Sequence, residues 1–329
     1  MATRIRQAPL LDRFEDSELF VAPDDHDRAS WAAAQGLNLL LIGARGAGKT
    51  TVLHQLQLAL RSEPGAHPVF VDLSSANSVE VALTTLVGAA SEALDRPLTF
   101  APSLPRPGES AEDHAARVAI AQLGALERCT LLVDNVRPEH VGFPLFGIFR
   151  DRLWETPHQW IVAASPGSTP WLLRPPADAF WEEVVELGYG AAAALELVAR
   201  RVGGHPPWLE EIVGEVGTNP RRLLQAALTA SRSPQDAATV LHAWQDWHRR
   251  LGALERREAL LMAELASRPP VSASDEELLS SLGWARSSLL RSLEHLETAG
   301  YVESWSEASG TGRPRRLFAA LEPGRPSRA

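Results

Sequence analysis

Through the first 190 positions, short runs of consecutive apolar residues alternate with longer stretches in which apolar residues recur at helical spacing. The runs are Leu39-Leu-Leu-Ile42, Pro68-Val-Phe-Val-Asp72-Leu73, Thr130-Leu-Leu-Val-Asp134, Trp160-Ile-Val-Ala-Ala-Ser165 and the shorter Val184-Val-Glu-Leu187. Runs this short and this apolar mark strands buried on both faces. Thr51 to Leu60, Ser78 to Leu94, Glu112 to Arg128 and Phe143 to Trp154 carry the helical period. Such alternation predicts an α/β fold with a parallel sheet covered on both faces. Residues 1–37 are polar and then weakly helical, with a helix expected through Ser30 to Gln35. Arg96 to Ser110, with prolines at 97, 102, 105 and 107, reads as an exposed loop.

From Ala191 the strands stop. Ala191 to Val202, Pro207 to Val216, Pro220 to Ala230 and Gln235 to Leu251 read as helices separated by Gly/Pro or Ser/Pro breaks. The last block changes character again. A helix from Leu254 to Ser267 ends at Arg-Pro-Pro, and Asp275 to Leu282 forms a short helix that Ser274 is placed to cap. Gly283-Trp284 makes a turn, and a second helix runs from Ala285 to Thr298 and closes at Ala299-Gly300. Tyr301 to Trp305, a basic loop from Gly310 to Arg316, and Leu317 to Leu321 then read as strand, loop, strand. Helix, helix-turn-helix and two-stranded wing together predict a winged helix. The expected boundaries are a core over 1–189, a helical domain over 190–251, a winged helix over 252–321 and a tail over 322–329.

Composition narrows the class more than the fold. A chain of 329 residues and 35.7 kDa is too long for one small domain. Its single cysteine, Cys129, excludes an intrachain disulfide framework and reads as a buried core thiol. No run approaches the ~18 apolar residues of a membrane span, and no signal-like block follows Met1, so a cytoplasmic protein without membrane contact is expected. The formal net charge of −9 argues against broad attraction to nucleic acid, so DNA contact requires a local basic patch. Most tryptophans, including Trp154, Trp160, Trp244 and Trp247, are expected as packing anchors. His205, His242 and His248 have no metal-ligand company and read as structural.

The densest chemistry lies at Asn38 to Val52, NLLLIGARGAGKTTV. Gly43 to Thr50 completes the GxxxxGK(S/T) phosphate loop, with an apolar strand before it and a helix after it. Gly43, Gly46 and Gly48, with Ala47, let successive N–H groups face a phosphate without a side chain in the way. The helix N-terminus that begins at Lys49, Thr50 and Thr51 adds its positive end. Lys49 places a compact charge on the β/γ-phosphates, and the Thr50 hydroxyl is the expected Mg²⁺ ligand. Lys49 is also the sole lysine among 32 basic residues, a position where a fork-shaped guanidinium would not fit. Asp134, ending a central strand, supplies a carboxylate for the metal's water shell. Ser165, ending another strand, is either a γ-phosphate sensor or an ordinary strand-end serine. Thr218-Asn-Pro-Arg221-Arg222 opens a helix with cations in its first turn, where the helix dipole disfavours them unless an anion is near. Arg221 is therefore the candidate to reach a γ-phosphate, with a solvent-exposed arginine as the alternative.

GARGAGKT, LLVDN, the strand ending in Ser165 and TNPRRLL resemble the AAA+ and related STAND P-loop ATPases. The order core, helical lid, winged helix resembles the origin-recognition and helicase-loader branch. Gly203-Gly-His-Pro-Pro-Trp-Leu209 is similar to the GG-x-P element of STAND-type families. The resemblance spans Phe20 to Leu321 and implies ATP and Mg²⁺ as ligands, a Walker A at Gly43 to Thr50 and a Walker B at Asp134. It also implies sensor 1 at Ser165 and sensor 2 at Arg221, and it places Phe20 and Val21 beside the adenine, against a plain packing arm. Two departures matter. Many hydrolysing members carry Glu directly after the Walker B acid, where this chain has Asn135, an amide that positions water but takes no proton. Asp72 or Glu139 would have to substitute, and slow hydrolysis or a switch is the expected regime. Where a ring-forming member carries an arginine just before a phenylalanine, this chain has Asp178-Ala179-Phe180, leaving Arg150, Arg152 or Arg174 to serve a nucleotide-dependent oligomer.

On the C-terminal block, Arg286, Ser287, Ser288 and Arg291, with Arg313, Arg315 and Arg316 in the wing, suit phosphate contacts and groove insertion on double-stranded DNA. Acids and bases balance over residues 240–329, 12 of each, and Glu294, Glu297 and Glu303 lie near those arginines in sequence. A winged helix that docks a protein partner is the alternative. The expected function is an ATP-dependent switch coupled to DNA engagement, against a STAND-like regulatory or defence ATPase and a nucleotide-binding scaffold that never turns over.

Overall fold

The computed structural model describes residues 8–63, 65–97, 104–307 and 314–323. The chain divides into two compact units. One comprises Ala8–Gly43 and Gly48–Gly188; the other comprises Ala44–Ala47 and the chain from Tyr189 onward.

The first unit is built on a five-stranded parallel sheet: β1 (Leu39–Ile42), β2 (Pro68–Asp72), β3 (Thr130–Asp134), β4 (Gln159–Ala164) and β5 (Glu183–Glu186), in spatial order β2-β3-β4-β1-β5. Every residue of β1, β3 and β4 is buried. Because side chains alternate along a strand, an unbroken apolar run feeds two cores at once. Leu40, Ile42, Leu131, Val133, Trp160 and Val162 enter one core, and Leu39, Leu41, Leu132 and Ile161 enter the other. Helices Lys49–Leu60, Val79–Ala93 and Ala111–Gly124 cover these faces, the last two capped by Ser78 and Ser110 accepting N–H groups three residues on. Two buried polar side chains at the sheet are partnered, whereas the Trp160 indole Nε1 has no hydrogen-bond partner among the described residues. Gln159, 3% exposed, donates to the Ala33 and Leu37 carbonyls and accepts from Thr130. Buried His158 joins the Cys129 N–H to the Leu123 carbonyl. Cys129 itself is buried, as expected.

Three local expectations in the first unit need correction. The helix near the N-terminus runs from His26 to Ala34, earlier than the apolar pattern indicated. The segment expected as one helix from Phe143 to Trp154 begins instead at Pro138 as two π-turns, Pro138–Gly142 and Pro144–Ile148, followed by a short α-helix, Arg150–Trp154. Pro144 has no N–H to give an α-helical ladder, and wide bonds such as Phe149 N–H to the Pro144 carbonyl, 2.9 Å, take over. Trp154 is not a packing anchor. It is 46% exposed and carries the Arg150 guanidinium 4.7 Å above its ring, whereas Trp160, Trp244 and Trp247 are buried.

The second unit opens with helices Ala191–Val202, Leu209–Val216, Pro220–Ala230 and Pro234–Gly252. Gly203 ends the first in the left-handed region, and Asn219 and Ser233 cap the third and fourth, each followed by the proline that suits a first helical position. A further helix, Arg256–Ser267, leads to β6 (Val271–Ser272), helices Glu276–Leu282 and Arg286–Thr298, and the strands β7 (Val302–Glu307) and β8 (Arg315–Ala320). The antiparallel order is β6-β8-β7. The two-residue β6 is too short to show a period in sequence. Asp275, not Ser274, caps the Glu276–Leu282 helix, its carboxylate accepting from Leu278 N–H at 2.9 Å, while Ser274 faces the Ser272 hydroxyl. Among the described residues, no helix is long and apolar enough to cross a membrane.

Candidate functional site

The phosphate loop follows β1 directly. Gly43 donates its N–H to the Ala164 carbonyl of β4, which anchors the loop's start to the sheet. Gly46 and Gly48 then take φ values of 86° and 89°, a region costly to any residue with a Cβ. A Cβ on Gly46 would also lie 2.7 Å from both the Arg221 Cβ and the Asn219 Oδ1. Gly48 caps the helix that starts at Lys49.

The reactive side chains converge on this turn. Lys49 folds back so that its Nζ donates to the Gly43 carbonyl at 2.7 Å. The Thr50 hydroxyl donates to Asp134 Oδ2 at 2.5 Å, while Asp134 Oδ1 accepts the Asn135 N–H at 2.8 Å. Asp134 is 2% exposed, so its charge is held by these oriented donors rather than by bulk water. Asn135 has φ 58° and is exposed; its amide donates to Asp72 Oδ1 at 2.9 Å. Partial burial works against a charge on Asp72, yet the Asn135 amide and Ser74 outweigh it and hold the carboxyl below the usual carboxylate range. The carboxyl ends of parallel strands are where such folds bind ligands, and these groups all sit there.

These residues fit a magnesium-bound phosphate. Thr50 and Asp134 are a hydroxyl and a carboxylate already aligned on one point, the oxygen donor set a hard cation takes. Lys49 occupies a backbone carbonyl that a phosphate oxygen can outcompete. Gly43, Gly46 and Gly48 carry no side chain, and Ala47 only a methyl.

Other candidates fall differently. The Thr51 hydroxyl accepts the Leu10 N–H at 3.2 Å, so it ties the N-terminal segment to the loop's helix. Gln55 donates to the Leu11 carbonyl, and Arg61 bonds Asp12, in the same way. Phe20 packs against the Leu39–Leu41 core and meets His26 edge-on at 5.0 Å, and Val21 is buried. Ser165 lies just past β4 with its hydroxyl 3.0 Å from that of Ser168. Glu139 lies in the turn after Val136 and Arg137, half-buried. Arg174 is stacked over Phe143 and Trp171, at 3.9 and 4.3 Å from the ring centroids; Arg150 bonds Asp151 and the Pro176 carbonyl; Arg152 lies 6.0 Å from the Phe149 centroid.

In the second unit, the loop residues meet the turn that starts helix Pro220–Ala230. Asn219 Nδ2 donates to the Arg45 carbonyl at 3.0 Å, and the Arg221 N–H to the Gly46 carbonyl at 3.3 Å. Arg221 itself is exposed, while Arg222 is committed to Glu322. Asn219 bonds the phosphate loop although the motifs do not single it out. Its place just before a first-turn proline is a capping signal, but nothing in the sequence shows that its amide also grips the phosphate loop.

On helix Arg286–Thr298, Leu289, Leu293 and Leu296 face inward, and Arg286, Ser287 and Arg291 are exposed. Arg315 is exposed at the start of β8. Arg316 is held by Glu294 and Glu297 of that helix and by Ser304 of β7, with its guanidinium over Phe318. Arg313 lies outside the described residues.

No family model matches the sequence, and no curated protein matches it. Solved structures do. The Pyrococcus abyssi Walker-type ATPase aligns at a TM-score of 0.49 and 15% identity over 97% of each chain. Cdc6p from Pyrobaculum aerophilum aligns at 0.46 and 17%, over 94% of each. The Aeropyrum pernix ORC1 protein, solved in complex with DNA, aligns at 0.50 and 14%, over 98% of this chain and 92% of that one. At these identities the likeness is one of fold, and with it the chain is a mixed α/β protein whose five-stranded parallel sheet matches a P-loop NTPase core.

Proposed function

We propose that this chain is an AAA+-like, Mg-ATP-binding switch that turns ATP over slowly and couples nucleotide state to double-stranded DNA through a C-terminal winged helix. The observation that carries the reading is the Thr50–Asp134 bond beside Lys49, at the mouth of a loop made by two positive-φ glycines. When bound, Mg-ATP would place its phosphates on the backbone of Gly43 to Thr50 and Lys49, with Thr50 and Asp134 toward the metal. Arg45 and Gly46 carry the bonds to Asn219 and Arg221, so a phosphate that reorders the loop backbone acts directly on the start of helix Pro220–Ala230. Ser165 and Arg221 are the proposed γ-phosphate sensors.

The winged-helix reading is supported by the order helix, short strand, two helices, two strands, with β8 central in a three-stranded antiparallel sheet. Arg286, Ser287, Arg291 and Arg315 are each exposed. The overall fold likeness of this chain to the ORC1 protein, solved in complex with DNA, favours DNA as the ligand. One observation favours the second reading, a protein partner: Arg316 is already neutralised by Glu294 and Glu297. Duplex-DNA binding measured with ATP, ADP or neither, and gel filtration under the same conditions, tests the proposal. Nucleotide-dependent DNA binding supports it; nucleotide binding without any DNA affinity moves the assignment to a protein-docking ATPase. A calorimetric titration with Mg-ATP that shows no heat refutes both.

A further inference from the structure

An asparagine after the metal-binding acid takes no proton from water, and the strand register places a carboxylate beside it. Asp72 ends β2 directly beside Asp134 at the end of β3, one strand spacing of about 4.8 Å away. The two acids have opposite surroundings. Asp134 is buried and bound to Thr50, whereas Asp72 is exposed. Exposed carboxylates are normally loose, but this one is fixed. The Asn135 amide and the Ser74 N–H both donate to its Oδ1 at 2.9 Å. Asn135 reaches it from a left-handed backbone conformation, which asparagine tolerates better than most residues. Acid and amide thus sit on neighbouring strand tips, with the acid on β2 and the amide following β3.

We propose that Asp72 is the catalytic carboxylate of ATP hydrolysis in this protein, and that Asn135 is the positioning residue that holds it; the proposal rests on the nucleotide reading above. In the step, the water oxygen bonds to the γ-phosphorus, and the bond from that phosphorus to the bridging oxygen breaks, its electron pair leaving with ADP. One water proton stays on the new phosphate hydroxyl, and the other passes by way of the Asp72 carboxylate to solvent. The tethered carboxylate accepts a hydrogen bond from the attacking water and orients it.

The test uses the full chain, with three readouts: binding of a fluorescent ATP analogue, single-turnover hydrolysis with and without duplex DNA, and binding of ADP with aluminium fluoride. Asp72→Asn is expected to bind the ATP analogue within about threefold of the parent, which also reports that it folds. Its hydrolysis is expected to fall by about 100-fold or more, the usual scale for losing a positioned acid–base group, and its tight binding of the ADP–fluoride complex to be lost. Asn135→Ala is expected to slow hydrolysis by about tenfold while keeping ATP affinity, since the carboxylate remains but loses its tether. Parental hydrolysis in Asp72→Asn overturns the proposal. So does a parent chain that binds ATP and hydrolyses none with or without DNA. A parent chain that binds no nucleotide, indistinguishable from Lys49→Ala, overturns the nucleotide reading itself.

Discussion

Replacing Lys49 with arginine separates a phosphate-binding lysine from a merely cationic one. In the free protein, Lys49 Nζ donates to the carbonyl of Gly43, which is buried at the end of β1. Two effects follow from its removal, and they differ in size and readout. Taking this donor away from a buried carbonyl costs about 1–3 kcal/mol of stability when nothing replaces it. Losing a charge-assisted bond to phosphate costs about 1.5–3 kcal/mol of binding, or roughly 10- to 150-fold in affinity. Lys49→Ala should show both. Lys49→Arg keeps the charge, but a planar fork cannot reproduce the compact ammonium that folds back to the Gly43 carbonyl. Arginine should therefore lose nearly as much ATP affinity as alanine, at least about tenfold. Titration calorimetry with Mg-ATP, paired with chemical denaturation of the free proteins, measures the two effects separately. An arginine variant that binds Mg-ATP within about threefold of the parent would show that charge alone suffices and that the loop geometry has been misread.

Asp134→Asn should retain much of the local shape but give up the charged acceptor of the Thr50 hydroxyl; ATP affinity should then become nearly insensitive to magnesium, which binding with and without EDTA checks. Glu294→Gln with Glu297→Gln should release Arg316 and strengthen duplex binding. Arg286→Ala with Arg291→Ala should weaken it and flatten the salt dependence by roughly 0.9 for each phosphate no longer engaged. DNA titrations at several salt concentrations read both, and an unchanged slope in the arginine variant would point to a protein partner. Burial pushes the Cys129 thiol up to about 11. Its folded-state value is raised, so the stability it contributes is complete below about pH 8.5, the ordinary thiol value, and is lost as pH rises toward 11. Thiol labelling at neutral pH should be slow in the folded protein and fast in denaturant, and Cys129→Ser should flatten the alkaline end of the stability curve.

The residues near the chemistry were legible in one dimension because their neighbours in space are neighbours in sequence. Leu39 to Thr50 contains its own strand, turn and helix start, and the glycines announce the conformations they occupy. The unbroken apolar runs announced a sheet covered on both faces, since only a strand feeding two cores needs apolar residues at every position. The breaks between the later helices were equally local. Tertiary structure decided the rest. Which strand stands beside β3 cannot be read from runs that all look alike, and that adjacency alone brings Asp72 to Asn135 across sixty-three positions. Pro144 broke a helix whose apolar spacing looked continuous, because the missing N–H acts on the ladder and leaves the hydrophobic pattern intact. Glu294 and Glu297 were legible as neighbours of the wing arginines, but only the fold pairs both with Arg316. Periodicity records what each residue turns inward; only packing determines which charges then meet.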